Sequence, residues 1–475
     1  MDAIPGRTAT SPARQLASFT ACLTLDEIPA EVLERAKLLI LDALGVGLAS
    51  SVHEFAAMTV AGVLALGGPG PCSVIGRRER LLVRDAALAN GVLIHGLDFD
   101  DTHLVSIVHP TAACLPCALS LSEHLNLDGR ALLTAYVAGM ETAIRIGAAV
   151  AGGFHHAGFH ATGIVAHFSS CLVAGKLLGL DIDKLIAAQG IAASTASGVQ
   201  VFLEEGAWTK RLHPAWAAVA GITAAHLAAA GFVGPTRPYE GRFGLFETHL
   251  QQHAAGVDQA ALSAGLGTWW RLTETAIKPY PVCHFIHGCA DAAIALHDEV
   301  DPADIEALDI LLPRDTLPIV AEPIESKRRP MTDYDAKFSA PFVVATCLRK
   351  GRFGLAELLP DALADADVRA LALRASCAAD PDTKFPTYFS GAVRLVMRDG
   401  RSVFRHVPVN TGAGERALGK EGVVAKFMAS AEVAVPRAHA ERIRDAVLRL
   451  EAMPMRELAA LLRQDGDLGV RGVQA

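Results

Sequence analysis

Positive charge is scarce in this chain. Lys and Arg number 43 against 51 Asp and Glu, a formal net charge of −8. With no basic stripe to neutralise phosphates, nucleic acid is excluded as an expected partner. The sequence carries no G-x-G-x-x-G, no P-loop and no iron–sulfur cysteine pattern, so no cofactor is expected. Cysteine is sparse and odd in number, nine residues scattered from Cys22 to Cys377, which suits a reducing compartment. Cys114 and Cys117 form a C-x-x-C pair without a preceding strand, inside the apolar run Ala112–Leu121, and read as small buried hydrophobes. Met1–Arg14 has no continuous apolar stretch of the secretory kind, so the cytoplasm is the expected location. The nearest approach to a membrane span is Ala215–Val233, whose richness in Ala rather than Leu reads as a buried helix, and no membrane partner is expected. Low-complexity segments and repeats are also missing.

What is present is a large supply of apolar residues, 51% of 475 positions with a mean hydropathy of +0.31. A chain this long exceeds what one core organises, so two domains are expected. Helical patterning dominates up to about residue 265, in runs at Pro29–Leu44, Val83–Leu93, Leu132–Ala151, Val165–Leu178, Ile182–Ala196 and Trp216–Ala230. Ile305–Leu312 reads as a strand, and Val393–Met397 with Val403–Val407 reads as a hairpin about Asp399-Gly400. Helical runs return from Val423. The fold expected is mainly α: an all-helical domain of residues 1–266 completed by 416–475, with an inserted α+β domain of residues 267–415.

Four polar islands interrupt this apolar background. The first, Gly96-Leu97-Asp98-Phe99-Asp100-Asp101-Thr102-His103 followed by His109-Pro110, gathers three carboxylates, a hydroxyl and two imidazoles. Carboxylates held near apolar sequence cost several kcal/mol unless they are paired or bind something. The spelling D-x-D-D also occurs where paired acids hold a metal–polyphosphate, but no phosphate cradle accompanies it here. The bland alternative is an acidic loop that caps a helix, which would fully account for Asp100 and Asp101. The second island, Gly158-Phe159-His160-Ala161-Thr162-Gly163, puts His160 before a helix whose free N–H groups favour an anion. The third, Thr209-Lys210-Arg211-Leu212-His213-Pro214, offers converging cations for a carboxylate even in an acidic protein. The fourth runs from Lys278 through Tyr280, Cys283 and His284 to His287. His155, His156 and His160 lie close in sequence, yet no Cys or Glu completes a zinc pattern, so no metal is expected.

Taken together, the islands resemble the MmgE/PrpD family, which includes 2-methylcitrate dehydratases, cis-aconitate decarboxylases and iminodisuccinate epimerases. The resemblance runs from about Gln15 to about Leu462. It implies a homodimer, and it implies that Asp98, Thr102 and Lys210 lie in the active site with His109 nearby. It also implies a site residue near Cys283 or His284, without deciding between them. In the segment Ala336–Phe342 the family often has Tyr where this chain has Phe342. That departure removes a hydroxyl and predicts weak cis-aconitate decarboxylation.

The candidate catalytic residues are therefore Asp98, Thr102, His109, His160, Lys210, Cys283 and His284, with His103, Arg211, Tyr280 and Phe342 as substrate contacts. The family's reactions share the making or quenching of a carbanion beside a carboxylate, which needs a base, an acid and cations around the substrate. Imidazoles can serve as either acid or base near neutrality. The leading expectation is a cofactor-independent lyase dehydrating a 2-methylcitrate-like di- or tricarboxylate. Decarboxylation of cis-aconitate and epimerisation of an iminodisuccinate-type acid are the alternatives within the family. A catalytically idle carboxylate-binding protein is the alternative from another class.

Overall fold

The structure, a computed structural model, describes residues 11–205 and 207–464. Most of the Met1–Arg14 segment and the end of the expected helical domain beyond residue 464 lie outside the described residues. The chain divides into two compact units: one runs to Thr275 and resumes at Gly419, the other is Ala276–Leu418.

The discontinuous unit is mainly helical. Helix α1 (Ala30–Ser50) is rich in strong helix formers and buried almost all round from Ala36 onward. Helices α2 (Val83–His95), α3 (Pro110–Leu125) and α4 (Gly129–Ala148) follow. Helix α5 (Ala161–Leu177) is buried on every side as far as Gly175, enclosed by α3, α4 and α6 (Thr209–Ala229). Helix α6 begins seven residues before the expected start at Trp216, so Lys210, Arg211 and His213 lie on its first turns rather than in a loop. Pro214 has no N–H to give the Lys210 carbonyl four residues back, and it sits where the helix passes from polar start to apolar body.

Two glycines set how closely these helices cross. A Cβ on Gly91 of α2 would lie 2.6 Å from the Ala215 Cα, and one on Gly221 of α6 would lie 2.4 Å from the Ser170 Cβ of α5. Helix α6 therefore meets both neighbours nearly backbone to backbone. Its first turn is carried to the C-terminal end of α2 and the N-terminal end of α5. One correction concerns the expectation of an all-helical part. Strands β1 (Pro69–Ser73) and β2 (Arg80–Leu81) form a small antiparallel ribbon there, too short and too rich in proline to show the alternation of a strand.

The other unit is α+β. Strand β3 (Ile305–Leu312) pairs in parallel with β4 (Ala375–Ala379) and antiparallel with β5 (Gly391–Met397), and β5 pairs antiparallel with β6 (Ser402–Val407), giving the order β4-β3-β5-β6. The β5–β6 turn uses Gly400 at φ 85°, a conformation that glycine adopts without penalty. Helices α7 (His287–Leu296) and α8 (Ala340–Lys350) pack against the sheet and each other.

No single helix among the described residues is long and apolar enough to cross a membrane; α1 and Glu54–Gly67, bent by 90°, pass that test only as a pair.

Candidate active site

The first polar island is the loop between α2 and α3, and its backbone is tightly held. Asp98 and Ile107 adopt positive φ, 54° and 51°, a region that costs a non-glycine residue energy unless its surroundings fix it. Here they do. The His103 N–H donates to the Val108 carbonyl at 2.8 Å, closing the loop. The His109 N–H donates to Thr162 Oγ1 at 3.1 Å, tying the loop to the start of α5. From the helix Lys420–Ala431, Lys426 donates to the Phe99 carbonyl at 2.7 Å, lies 3.9 Å over the Phe99 ring, and pairs with Asp42 of α1 at 2.7 Å.

The three acids of the loop take different partners. Asp98 Oδ1 accepts from Lys210 Nζ at 2.8 Å, a buried ion pair that joins the loop to α6. Asp100 Oδ2 lies 2.8 Å from His95 Nδ1 and 3.6 Å from His109 Nδ1. Asp101 takes the capping role: its carboxyl is bonded to the Thr111 N–H and hydroxyl in the first turn of α3. Burial pushes the Asp101 carboxyl up to about 8, Thr111 opposes the rise, and Asp100 and Asp42 add to it. At neutral pH Asp101 is therefore largely protonated.

Around Asp100 the structure assembles imidazoles. The rings of His95 and His109 are 4.7 Å apart, those of His95 and His160 5.6 Å and nearly parallel, and those of His109 and His160 6.1 Å. His160 stands at the N-cap of α5, and its Nδ1 shares a hydrogen bond with His213 Nδ1 at 3.1 Å. Phe202 closes one edge, 6.2 Å from the His160 ring and 5.7 Å from that of His213. Burial holds His160 well below the ordinary imidazole range, and His213, Lys210, His95 and His109 lower it further. His213 is held at about 4, by burial first and then by His95 and Lys210. These two are neutral at physiological pH, one able to accept a proton from the other's N–H or from a ligand. The carboxylates of an anionic ligand would offset the mutual repulsion and restore their affinity for protons.

Two buried sets meet the distance requirement for a metal ion: one ring nitrogen each from His95, His109 and His160, and ligand atoms from Asp98, Asp100 and His109, within 4.8 Å of one another in each set. The first set is not visible as a spacing in the sequence, because its residues come from the end of α2, the loop and the start of α5; the second lies wholly within the loop.

Of the sequence candidates, Asp98, Thr102, His109, His160 and Lys210 are thus brought together, with Thr102 Oγ1 3.4 Å from His109 Nδ1. His103 is directed elsewhere, to Ser106 Oγ at 2.9 Å and Glu274 at 3.2 Å. Arg211 anchors the loop from outside, donating from Nε to the Gly96 carbonyl at 2.7 Å, with its guanidinium 4.3 Å over the Phe55 ring. Three members were not selected from the sequence. His95 ends a helical run just before the polar island, Asp100 stands in a row of acids that a capping loop would also explain, and His213 is one of three cations grouped in the third island.

The remaining candidates lie in the α+β unit. Tyr280 donates to Asp291 at 2.7 Å, and burial raises its phenol above the ordinary value. The Cys283 N–H donates to the Lys337 carbonyl at 2.8 Å. His284 Nε2 accepts from the Asn410 amide at 2.9 Å while its ring lies 4.3 Å from that of His287. Phe342, 1% exposed, packs edge-on against Phe353 within the core of this unit. Cys114 and Cys117 are buried on α3, and burial pushes the Cys114 thiol up to about 12, away from redox reactivity.

Known proteins resemble this chain over most of its length. The cis-aconitate decarboxylase-like protein oryM of Aspergillus oryzae is 28% identical over 470 residues, 94% of this chain and 96% of its own. The cis-aconitate decarboxylase of Aspergillus terreus is 27% identical over 92% of this chain and 93% of its own, and that of Mus musculus 27% over 90% and 88%. The model of the MmgE/PrpD N-terminal domain matches residues 14–257, and that of the MmgE/PrpD C-terminal domain matches residues 280–452. Matched in both of its parts, the chain belongs to the MmgE/PrpD family.

Proposed function

We propose that this protein is a lyase that acts on a small di- or tricarboxylate by acid–base chemistry of its own side chains, with decarboxylation of a cis-aconitate-like substrate as the leading reaction. The observation that carries the reading is the group of buried His95, His109 and His160 and half-buried His213 beside the Lys210–Asp98 pair. Imidazoles can take or give a proton, and a buried cation next to them supplies the field that a carboxylate substrate needs. The decarboxylases among the relatives favour decarboxylation over the 2-methylcitrate dehydration expected from sequence. Phe342 does not argue against it, because a ring packed in the core of its unit serves that packing whether or not a hydroxyl is present elsewhere.

In this reading the substrate's carboxylates lie against the start of α5 and the Lys210 side of the group. Loss of carbon dioxide breaks a carbon–carbon bond and leaves the electron pair on carbon, conjugated with the neighbouring unsaturation. An imidazolium, His109 or His160, then delivers the proton that quenches it. Such positioned proton transfer contributes roughly 10²–10⁴-fold. Dehydration would use the same groups in the opposite order, a base removing a C–H proton before hydroxide leaves.

The test is to incubate the purified protein with cis-aconitate, 2-methylcitrate and an iminodisuccinate-type acid in deuterated water and to identify products by NMR. Itaconate from cis-aconitate supports the leading reaction. An unsaturated product from 2-methylcitrate moves the assignment to dehydration, and C–H exchange alone moves it to epimerisation. No turnover and no exchange with any of them refutes the lyase reading in favour of a carboxylate-binding protein. We also propose a homodimer: Trp208, Leu212 and Trp216 expose an apolar strip at the start of α6. Sedimentation that finds a stable monomer at micromolar concentration would exclude it.

A further inference from the structure

We propose that Asp100 and His95 form a positioning pair behind His109: the Asp100 carboxylate stabilises the imidazolium that His109 becomes while it carries the substrate's proton, and His95 holds that carboxylate in place. The inference rests on the lyase reading and adds two residues to it.

The hydrogen bonds fix which nitrogen does what. His109 Nδ1 lies 2.8 Å from the Asp101 carbonyl, and a carbonyl only accepts, so Nδ1 carries the proton. Nε2 is then the ring atom that can accept and release a proton. When it gains one, positive charge spreads over a ring whose Nδ1 is 3.6 Å from Asp100 Oδ2. The Asp100 side chain is fully buried, so little solvent screens that attraction. The same oxygen accepts from His95 Nδ1 at 2.8 Å, and the His95 side chain is fully buried as well. The acceptance keeps His95 in the Nδ1–H tautomer; its Nε2 has no hydrogen-bond partner among the described residues.

The neighbouring acids are committed differently, which singles Asp100 out. Asp98 faces Lys210, Asp42 faces Lys426, and Asp101, largely protonated, caps α3. The groups facing His109 include Asp98, Asp100, Thr102 and the Asp101 carbonyl from its own loop, His95 from the end of α2 and His160 from the start of α5. Lys210 of α6 acts on the group through Asp98 and through His160, which it helps to keep neutral. Asp100 differs from these acids in placing one oxygen against two imidazoles, those of His95 and His109.

The experiment compares Asp100→Asn, His95→Gln and the unmodified enzyme across pH with the substrate identified above. Asp100→Asn keeps the shape and removes the charge. It should lower kcat by about 100-fold or more while leaving KM within about threefold, as expected for a carboxylate that supports an imidazole rather than binding substrate. The pH limb that reports His109 should move to lower pH, because losing the carboxylate makes the imidazolium easier to deprotonate. His95→Gln still offers a donor to Asp100; it should lower kcat less and leave that limb in place. Unchanged kcat in Asp100→Asn overturns the proposal. So does a loss that follows only the fraction folded, with the limb unmoved. If Asp100→Asn fails to fold, His95→Leu decides: with the Asp100 carboxylate no longer held, the limb must move to lower pH and return in His95→Gln, and a limb unmoved in both overturns the pair. Should the unmodified protein turn over no polycarboxylate, the lyase reading falls by itself. The pair is then judged by NMR of ¹⁵N-histidine-labelled protein, in which His109 must lose its extra proton at lower pH in Asp100→Asn than in the unmodified chain. Equal titration overturns it.

Discussion

Replacing Lys210 with methionine, and then removing the charge of its partner with Asp98→Asn, separates what the buried pair does for the fold from what it does for the reaction. Nζ and Oδ1 are 2.8 Å apart, with side chains 10% and 5% exposed. At an effective dielectric of ~20 that separation corresponds to an attraction of about 6 kcal/mol, most of it offset by the desolvation of both charges. The single variant strands a carboxylate inside the protein, so Lys210→Met should lose ~3–5 kcal/mol of stability. The loss should shrink as pH falls, because a protonated Asp98 no longer needs a cation. Lys210→Met/Asp98→Asn leaves no stranded charge and should recover most of that stability. Activity should not recover, since the cation that faces the substrate is still missing. Urea unfolding of the four proteins at two pH values, with kcat and KM for each, completes the cycle. A single variant within about 1 kcal/mol of the parent would refute the buried pairing. A double variant that regains activity along with stability would show that Lys210 serves only to neutralise Asp98.

Three other outcomes are expected. His160→Gln should lower kcat/KM at least about tenfold with folding intact by circular dichroism, given the usual ~10²–10⁴-fold worth of general acid–base groups; an unaffected enzyme would remove His160 from the proton path. Prolonged chelation should leave activity unchanged, and a loss reversed by a divalent ion would reassign His95, His109 and His160 as its ligands. His167 is fully buried, and its imidazole is lowered to about 4, first by burial. Its contribution is fully present above pH ~6.5 and is lost as pH falls toward 4, because the unfolded chain takes up the proton first; this amounts to roughly 3 kcal/mol. Denaturant titrations at pH 7 and pH 5 should show this decline, and it should be smaller in His167→Gln.

The mainly helical architecture was legible because long apolar runs carry a strong 3.6-residue period, and β5 and β6 because apolar and polar residues alternate on either side of the Asp399-Gly400 turn. Strand β4 was not, since Ala-Ser-Cys-Ala-Ala holds no β-branched or aromatic residue and is a strand only because β3 offers it a parallel edge. Within the site, Asp98, Thr102, His109, His160 and Lys210 stood out as polar residues in apolar surroundings. His95 did not, because one histidine at the end of a helix is the commonest of patterns. Only the folding of α5 and the loop against it makes that ring a neighbour of two others. Asp100 and Asp101 could not be told apart in a row of acids; the choice depends on which one the first turn of α3 captures, and Thr111 captures Asp101.

The near-contact of α6 with α2 and α5 has a consequence for anyone engineering this enzyme. Replacing a mid-helix glycine by alanine ordinarily raises stability by ~0.5–1 kcal/mol through helix propensity alone. At Gly91 and Gly221 the added methyl would have to enter space already held by Ala215 and Ser170, so the usual gain turns into a displacement of one helix against another. Because α6 carries Lys210 and His213, a thermostabilising library scored on melting temperature alone could accept repacked variants whose ion pair and imidazoles no longer meet. Those two positions are better left out of such a library, or scored on turnover from the first round.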